Sequence, residues 1–523
     1  MKKQMTKRVV AVAVAALFAP AMASAADADL LRKIEALAKE IEQLKSQVKA
    51  NEEKSAKAVE DVKAIAAKSQ GADVEELKGQ VKRVEEKSLG RWLTFGGDYR
   101  FRYDYLSGET KPFTDVNATF ANAQQKLQGD FFANPSTAPG SSSFFGAAAA
   151  GGMSTAGAMT AFINFSQNMS NVRTLAQAQS FVSNPANAGL IQGLNNFAVQ
   201  VPAYKAENKT LYTNRLRMDF GAKATVDVSV NARLLMYKTF GAQDSAAVTN
   251  SGAAPFFADR VGVFDGTLGH VPSSSYVAVD RAYATWSNIL DQDMWFSVGR
   301  RPSTQGAPSN LRLNEARPGN GGTPSLLVDY AFDGMTLGYA PDIDGLPGAY
   351  GKICYGRGFE SGFRRTPGNS IADTDMLGIS IIPIDTDKLR VWTQWNRGFN
   401  IFDAPTMSNT YFGSTAPRVN LGSIDWIGAG AMSTLKNIGS GDLNLFADVG
   451  LSRTHPNQNV SSQFGFQGLL TGSFFSPEAA TDRTGTAVAL GLRYDLPSKT
   501  KLGLEFNHGS KNWITFAPAA DDM

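Results

Sequence analysis

The sequence predicts an all-β transmembrane antiparallel β-barrel of about 14–16 strands, preceded by an α-helical coiled coil. Three features carry this prediction: an N-terminal export signal, long strands that alternate charged with aromatic side chains, and connections that alternate between short and long. The composition agrees, because only 19% of the 523 residues are charged and 10% are aromatic, with 50 glycines. Such a length fits one large barrel as well as several ordinary domains.

Charge and cysteine content exclude several classes of function. The formal net charge is +3, and four positive charges lie in the first eight residues. The rest of the chain is therefore close to neutral and has no nucleic-acid-binding character. The single cysteine, Cys354, excludes an internal disulfide, a CxxC redox pair and covalent haem attachment. His270, His455 and His508 are isolated in the sequence, so we predict no enzyme, no catalytic residue, no metal site and no cofactor.

Residues 1–25 have the three parts of a secretory signal peptide. A basic start is followed by the apolar run Val9–Phe18, and Ala23-Ser24-Ala25 supplies the small-residue cleavage pattern. The apolar run is too short to span a membrane as a helix. We expect cleavage before Ala26, which places the mature protein beyond the inner membrane of a bacterium.

Residues 26–89 follow a heptad pattern. Apolar positions step by four and three from Leu30 through Ile34 to Ile65, and a second short seam ends at Val84. A period near 3.5 that is sustained over several heptads is typical of a supercoiled helical seam. We therefore predict a periplasmic coiled coil that forms a homo-oligomer, with a trimer as one option, and that contacts periplasmic proteins or peptidoglycan. A solvated single helix is the alternative.

The predicted barrel occupies residues 90–523, and its first strand shows the pattern most clearly. Residues 93–105 place aromatic and aliphatic side chains on one face and charged side chains on the other. This period of two is expected for a strand between lipid and water. A soluble sandwich would alternate in the same way, so the number of long strands and the spacing of their connections decide between the two folds.

Thirteen segments have this strand character, and their connections alternate in length. Long connections follow the odd-numbered strands, whereas tight ones such as Asp385–Asp387 and Pro497–Lys499 follow the even-numbered strands. Short periplasmic turns and long outer loops are typical of bacterial barrels. The predicted strands are 92–106, 210–225, 228–239, 276–287, 294–301, 329–340, 349–357, 375–384, 388–398, 422–435, 442–454, 484–496 and 500–508.

The odd strand count is unusual, since bacterial single-chain barrels have even numbers. Either a strand is miscounted or the closing strand or strands are absent at the C-terminus, and the regular alternation of connections favours the second interpretation. Within the sixth segment the apolar phase shifts at Asp333-Gly334, which predicts a β-bulge.

The connection 107–209 has an unusual composition. Between Asp130 and Lys205 the only charged residue is Arg173, across 74 positions rich in Ala, Gly, Ser, Asn and Phe. The spacing over Ala161–Phe181 predicts a short helix. A structureless loop of this length is uncommon in a compact domain. Three interpretations stay open: a constriction or plug inside the barrel, a surface that packs on a neighbouring protein, or a low-complexity surface loop.

Several motifs carry a family resemblance: GGDYRFR at 96–102, DRAYA at 280–284 followed by FSVGRRP at 296–302, and FDGMTLGY at 332–339. With the coiled coil, they make the chain resemble an uncharacterised family of Gram-negative outer-membrane porins, distantly similar to phosphate- and sugar-selective porins. The likeness covers residues 26–510. It implies about sixteen strands and an outer-membrane location with the coiled coil in the periplasm. It does not specify a substrate.

The inward faces of the predicted strands carry more basic than acidic residues, which predicts a weak preference for anions. An arginine ladder that is paired with carboxylates and selects nothing is the alternative. The pore-lining candidates are Arg100, Arg102, Arg215, Arg217, Arg233, Arg281, Arg301, Lys352, Arg493, Asp98 and Asp219.

These features predict a porin that forms a passive diffusion channel for small hydrophilic solutes or ions, with the lipid bilayer of the outer membrane as its main partner. Two alternatives remain. Some barrels of this kind sheath multihaem cytochromes in electron-transfer conduits, but this chain has no haem motif and would need separate cytochrome partners. The other alternative is a structural tether between the outer membrane and the periplasm.

Overall fold

The structure is a computed structural model, and the chain divides into two units, Met1–Trp92 and Leu93–Met523. The predicted signal peptide and coiled coil lie outside the described residues and stay predictions. The structure describes residues 92–109, 111–142, 144, 153–240, 277–301, 306–314, 326–329, 332–363, 371–403, 407–410, 413–462, 469, 472–473 and 475–516.

Thirteen strands form one antiparallel sheet, in which each strand pairs with the strands before and after it along the chain. The predicted strands and their order are therefore confirmed. The strands are β1 Leu93–Glu109, β2 Lys205–Lys223, β3 Val228–Thr239, β4 Ala278–Ser287, β5 Met294–Arg300, β6 Asp333–Tyr339, β7 Tyr350–Phe359, β8 Thr374–Asp385, β9 Leu389–Phe399, β10 Gly422–Ile438, β11 Gly441–Pro456, β12 Arg483–Asp495 and β13 Lys501–Gly509.

The sheet curls into a barrel. Its connections alternate as the sequence predicts: 110–204 joins β1 to β2, whereas only 386–388 joins β8 to β9. Because neighbouring strands are antiparallel and the count is odd, β1 and β13 run in the same direction. Each has one edge without a ladder partner among the described strands. Side chains of both strands nevertheless line one cavity, so the two ends of the sheet approach each other.

The predicted bulge at Asp333-Gly334 is wrong. Arg300 pairs with Asp333 and Gly299 with Gly334 without a register shift, and β6 simply begins at Asp333. The alternation of apolar residues changes phase there because the residues before Asp333 lie outside the sheet and pack in the barrel interior. Register shifts occur elsewhere, for example between Arg233 and Leu234 opposite β4.

Part of the barrel interior is filled by the chain itself. Residues 306–314 and 326–329, here called the inner segment, include the short helix α5 (Ser309–Arg312). Leu311 packs in a cluster with inward side chains of six strands, including Trp392 and Phe446. Leu327 and Val328 pack against β10, whose Trp426 is fully buried. The inner segment therefore covers the inner face of β7–β12.

A second stretch, residues 510–516, folds back beside the inner segment. The amide of Phe516 donates to the Leu327 carbonyl at 3.1 Å, and the Asp329 amide donates to the Phe516 carbonyl at 2.8 Å. The Trp426 indole N–H donates to the Ile514 carbonyl at 2.8 Å. These bonds satisfy backbone groups that would otherwise be buried without partners.

Glycine on the inner face of β11 creates room for these segments. A Cβ on Gly450 would lie 2.7 Å from Trp513 Cη2 and 2.9 Å from Leu327 Cδ2. We expect Gly450→Leu to lower the free energy of unfolding by about 1–3 kcal/mol through overpacking. Ala447→Leu is the matched control, because Ala447 faces outward from the same strand. Unfolding in urea measures both, and an equal loss in the control would contradict this packing.

The long connection 110–204 is largely helical. Its bounds differ from the predicted 107–209 because β1 and β2 extend further into it. The helices are α1 Val116–Ala133, α2 Thr155–Ser170, α3 Leu175–Ser183 and α4 Pro185–Asn196, and a short ribbon of Phe113–Asp115 with Val199–Val201 precedes and follows them.

Local capping explains where these helices begin. Asp115 accepts a hydrogen bond from the Ala118 amide, and Thr174 forms a capping box with Gln177. Such caps supply partners for amides that a helix leaves unpaired. The single helix predicted over Ala161–Phe181 is therefore two helices, because Thr174 begins a new one.

These four helices, here called the helical cap, share a core that includes Phe165 and Leu190. The cap also contacts the connection after β11: Val460 is buried in its core, and the Leu175 amide donates to the Gln458 carbonyl at 2.7 Å. The low charge of this connection therefore reflects a core of its own. In the described residues, the segments that pack on the inner face of β7–β12 are the inner segment and residues 510–516.

The remaining short elements are a 3₁₀ turn and two ribbons. They are Ile289–Asp291, Met407–Thr410 with Gly413–Thr415, and Gly472–Ser473 with Ser476–Pro477. Among the described residues, the helices are too short or too polar to cross a membrane.

Candidate channel and its charged wall

Six arginines line the inner face of four adjacent strands. Period-two alternation turns them inward while the aromatic residues of β1 and β2 face outward. The register brings Arg100 opposite Arg215 and Arg233 opposite Arg281. This arginine wall consists of Arg100, Arg102, Arg215, Arg217, Arg233 and Arg281. All six were predicted to face the pore.

Like charges directly opposite each other are destabilising, so the wall depends on carboxylates. Asp98 accepts hydrogen bonds from Arg217 and from Arg215 Nη2, the latter at 3.1 Å. Asp219 pairs with Arg233 Nε at 2.5 Å. Both acidic candidates, Asp98 and Asp219, therefore lie in direct contact with arginines of the wall. The wall is a network of charge-assisted hydrogen bonds.

Asp280 belongs to the same network, although the sequence analysis did not include it. It is 2% exposed and lies 3.5 Å from Arg281 Nε and 3.9 Å from Arg233 Nη1. The register shift opposite Arg233 turns both Asp280 and Arg281 inward, against strict alternation. Two adjacent charged residues in an otherwise alternating strand are the sequence signal for such a bulge.

Tyr237 is a second residue that the sequence analysis missed. Arg102 Nη2 donates to its hydroxyl at 3.1 Å, and the Arg100 guanidinium carbon lies 5.4 Å from its ring centroid. A guanidinium over an aromatic face gains cation–π attraction. Tyr237 has the same inward phase as Arg233 on β3, and this phase could have identified it.

The depth of the charges matters for selectivity. The side chains of Arg215 and Arg217 are 2% and 5% exposed, whereas those of Asp98 and Asp219 are 37% and 41% exposed. The carboxylates thus lie closer to the open interior than the guanidinium groups that they hold. A passing solute meets paired charges, so the field of the arginines is partly cancelled.

Three further candidates lie away from this wall. Arg301 is buried, with Nη2 3.6 Å from Cys354 Sγ, and Lys352 is buried on the neighbouring part of β7. Arg493 donates from Nη1 to the Leu311 carbonyl at 2.5 Å and from Nε to Asp495 at 2.7 Å. Arg493 therefore anchors the inner segment to β12.

A cavity of 810 Å³ lies between β1, β13 and the inner segment. Arg102 and Asp104 line it from β1, and Arg312 crosses from the inner segment to Glu505 of β13, with Nη2 2.6 Å from the carboxylate. The described residues bring together no group of three or more His, Cys, Asp or Glu side chains that could hold a metal ion. The cavity is therefore polar and is lined by paired charges.

Asp98 is the carboxylate on which the wall depends most, because two buried guanidinium groups share it. We expect Asp98→Asn to lower the free energy of unfolding by about 1–2 kcal/mol, since the partial exposure of Asp98 reduces the loss. Urea unfolding in lipid vesicles measures this change. Asp344→Asn, in an exposed turn, is the control, and equal values for both variants would contradict a shared carboxylate.

These features define the protein as an antiparallel β-barrel whose interior is charged on one side and packed with its own chain on the other. The chain belongs to the family described as Protein of unknown function (DUF3373), whose model matches residues 205–523, more than half of the sequence. No curated protein matches it.

Solved structures with some similarity include three outer-membrane proteins. Salmonella typhi OmpF in complex with daunomycin is 10% identical, with 58% of this chain and 93% of that chain covered and a TM-score of 0.26. Vibrio cholerae OmpT in its trimer form is 12% identical, with coverage of 58% and 83% and a TM-score of 0.26. A mutant Rh. blastica porin is 13% identical, with coverage of 58% and 92% and a TM-score of 0.20.

Proposed function

We propose that this protein is an outer-membrane porin: a passive diffusion channel for small hydrophilic solutes or ions, with a weak preference for anions. The outward face of the sheet supports the membrane location. Large apolar side chains cover it, for example Leu337, which is 44% exposed, and Leu504, which is 69% exposed. A contiguous apolar surface of this kind is stable against lipid and unstable in water.

Aromatic residues mark one boundary of this apolar surface. Phe101 stacks on Tyr212 with ring centroids 5.9 Å apart, and Tyr103 and Phe240 lie against the same ring. Phe240 directly follows β3, and the other three lie near the middle of β1 and β2, which continue beyond them towards the long connection. Aromatic girdles at the membrane interfaces are a general property of outer-membrane barrels.

The arginine wall is the observation that carries the channel proposal. Six arginines and four aspartates, Asp98, Asp104, Asp219 and Asp280, face the interior of β1–β4, which leaves a net positive charge there. Charged side chains are costly in an interior that holds only packed apolar groups, whereas they stabilise water and small ions in a pore. Because the carboxylates are the more exposed partners, we expect the anion preference to be small.

Swelling of proteoliposomes tests the channel proposal directly. We expect vesicles that contain the folded chain to swell in isotonic solutions of small sugars, at rates that fall as solute size increases. Vesicles with Asp344→Asn should behave the same way. An absence of swelling with protein that is shown to be folded by circular dichroism would contradict a diffusion channel.

A further inference from the structure

A row of alternating charges crosses the outward face of the sheet. It follows the ends of the strands where the long connections begin, from β5 to the start of β12. Direct register pairs join Arg300 to Asp333, Asp333 to Arg357, and Arg357 to Asp375. The outer charge row consists of Arg300, Asp333, Arg357, Asp375, Arg397, Asp425, Arg453 and Asp482.

The row shares its face with the apolar surface. On β6, Asp333, Met335 and Leu337 all face outward. Asp333 lies at the end of the strand that meets the long connection, and the two apolar residues lie further into the sheet. The same change occurs on β8, β10 and β11, where outward aliphatic residues give way to Asp375, Asp425 and Arg453. A face that is apolar below and charged above matches a medium that changes from hydrocarbon to polar headgroups.

Two amphipathic aromatic residues lie at the border between these zones. The Tyr355 hydroxyl donates to Asp375 at 2.7 Å, and the Trp395 indole N–H donates to Asp425 at 3.1 Å. Each ring lies on the apolar side and each polar atom points into the charge row. This arrangement is typical of tyrosine and tryptophan at a bilayer interface.

One dense group of charges lies where β9, β10 and β11 meet the long connections. Arg397 lies 3.4 Å from Asp425, and Arg453 lies 2.9 Å from Asp482. His455 lies between the two carboxylates, with Nε2 2.8 Å from Asp425 and Nδ1 3.0 Å from Asp482. Three cationic or potentially cationic side chains therefore surround two acids on a surface of three strands.

Asp482 holds its charge at this position. Slight burial acts to raise its pKa, but hydrogen bonding from Arg453 and the charge of nearby His455 outweigh this and hold the pKa below its ordinary value. The Arg453 side chain remains 54% exposed beside it. A partly exposed guanidinium held by one carboxylate keeps further N–H donors for an external acceptor.

We propose that the outer charge row binds the phosphate groups of anionic lipid headgroups, with Arg397 and Arg453 as the main site. The inference rests on the membrane location in the proposed function. Arginine is suited to this ligand because its planar guanidinium donates two parallel hydrogen bonds to a phosphate. The neighbouring carboxylates hold the guanidinium groups in place before a lipid arrives. Continuity with the apolar surface places lipid tails below the same residues.

Native mass spectrometry of the full chain in detergent tests this site, with dimyristoyl phosphatidic acid as the probe and dimyristoyl phosphatidylcholine as the comparison lipid. We expect preferential retention of phosphatidic acid by the unsubstituted chain. The double variant Arg397→Gln, Arg453→Gln should reduce that retention about tenfold, since charge-assisted hydrogen bonds to phosphate are lost. The inward double variant Arg100→Gln, Arg102→Gln is the control and should retain as much as the unsubstituted chain.

The variant Asp482→Asn should change phosphatidic acid retention in the opposite direction, and it keeps the proposal testable if the double variant does not fold. It releases Arg453 from its carboxylate and should increase phosphatidic acid retention. Equal retention by all variants would overturn the proposal and leave the row as a set of ion pairs between strands. A change in the number of protein copies without a change in bound lipid would also overturn it, in favour of a second copy on this face. Lipid retention is independent of conductance, so failure of the channel proposal would be recognised separately.

Discussion

Removal of the inner segment should increase the single-channel conductance by about two-fold or more, because it opens the cross-section of the pore. The deletion is geometrically simple. Arg300 and Asp333 are direct register partners on β5 and β6, so residues 302–331 can be replaced by a four-residue Gly-Ser turn. The barrel should also lose stability, since the buried side chains of Leu311 and Leu327 each contribute about 1.5–3 kcal/mol.

Planar-bilayer recording of unitary steps measures the conductance effect. The matched comparison is replacement of the helical cap, residues 116–196, by a short linker between the two strands of its flanking ribbon. We expect a smaller change, because the cap has its own core and contacts the connection after β11. An unchanged conductance after removal of the inner segment would show that these residues do not narrow the pore.

Neutralisation of the exposed part of the arginine wall should remove the anion preference. Arg100→Gln with Arg102→Gln leaves four arginines against the four aspartates of the wall, so the reversal potential under a salt gradient should move to about zero. These two positions suit the test, because they are less buried than Arg215 and Arg217.

The outward double variant Arg397→Gln, Arg453→Gln is the control for charge removal, since both side chains lie on the opposite face of the sheet. It should leave the reversal potential unchanged. A shift of equal size in this control would mean that surface charge sets the selectivity and that the arginine wall does not.

Much of the barrel was predictable from local patterns. Alternation of side chains depends only on strand geometry, so it identified thirteen strands, and it gives Arg215, Arg217 and Asp219 the same phase, in which they contact the other charges of the wall. It failed at Asp280, where a register shift adds an inward residue. Such a shift depends on the partner strand β3 and is not encoded within β4 alone.

The packed side of the interior could not be predicted in the same way. Leu311 and Leu327 lie in a connection, and Phe516 follows the last strand; none of these segments has a periodic pattern. Their side chains pack against residues of strands that are distant in the sequence. The glycines that make room for them, such as Gly450, have no pattern until those partners are known. Low charge identified the long connection 107–209 as a candidate plug, but low charge indicates burial and does not specify the surface that provides it.

Planar-bilayer recording of the refolded chain under a salt gradient tests the central claim most directly. We expect stable unitary steps with a small reversal potential of anion-selective sign, because a net positive wall of paired charges lines the open side of the barrel. Absence of unitary steps from protein that is demonstrably folded would contradict the channel. A clear cation-selective reversal potential would contradict the role of the arginine wall.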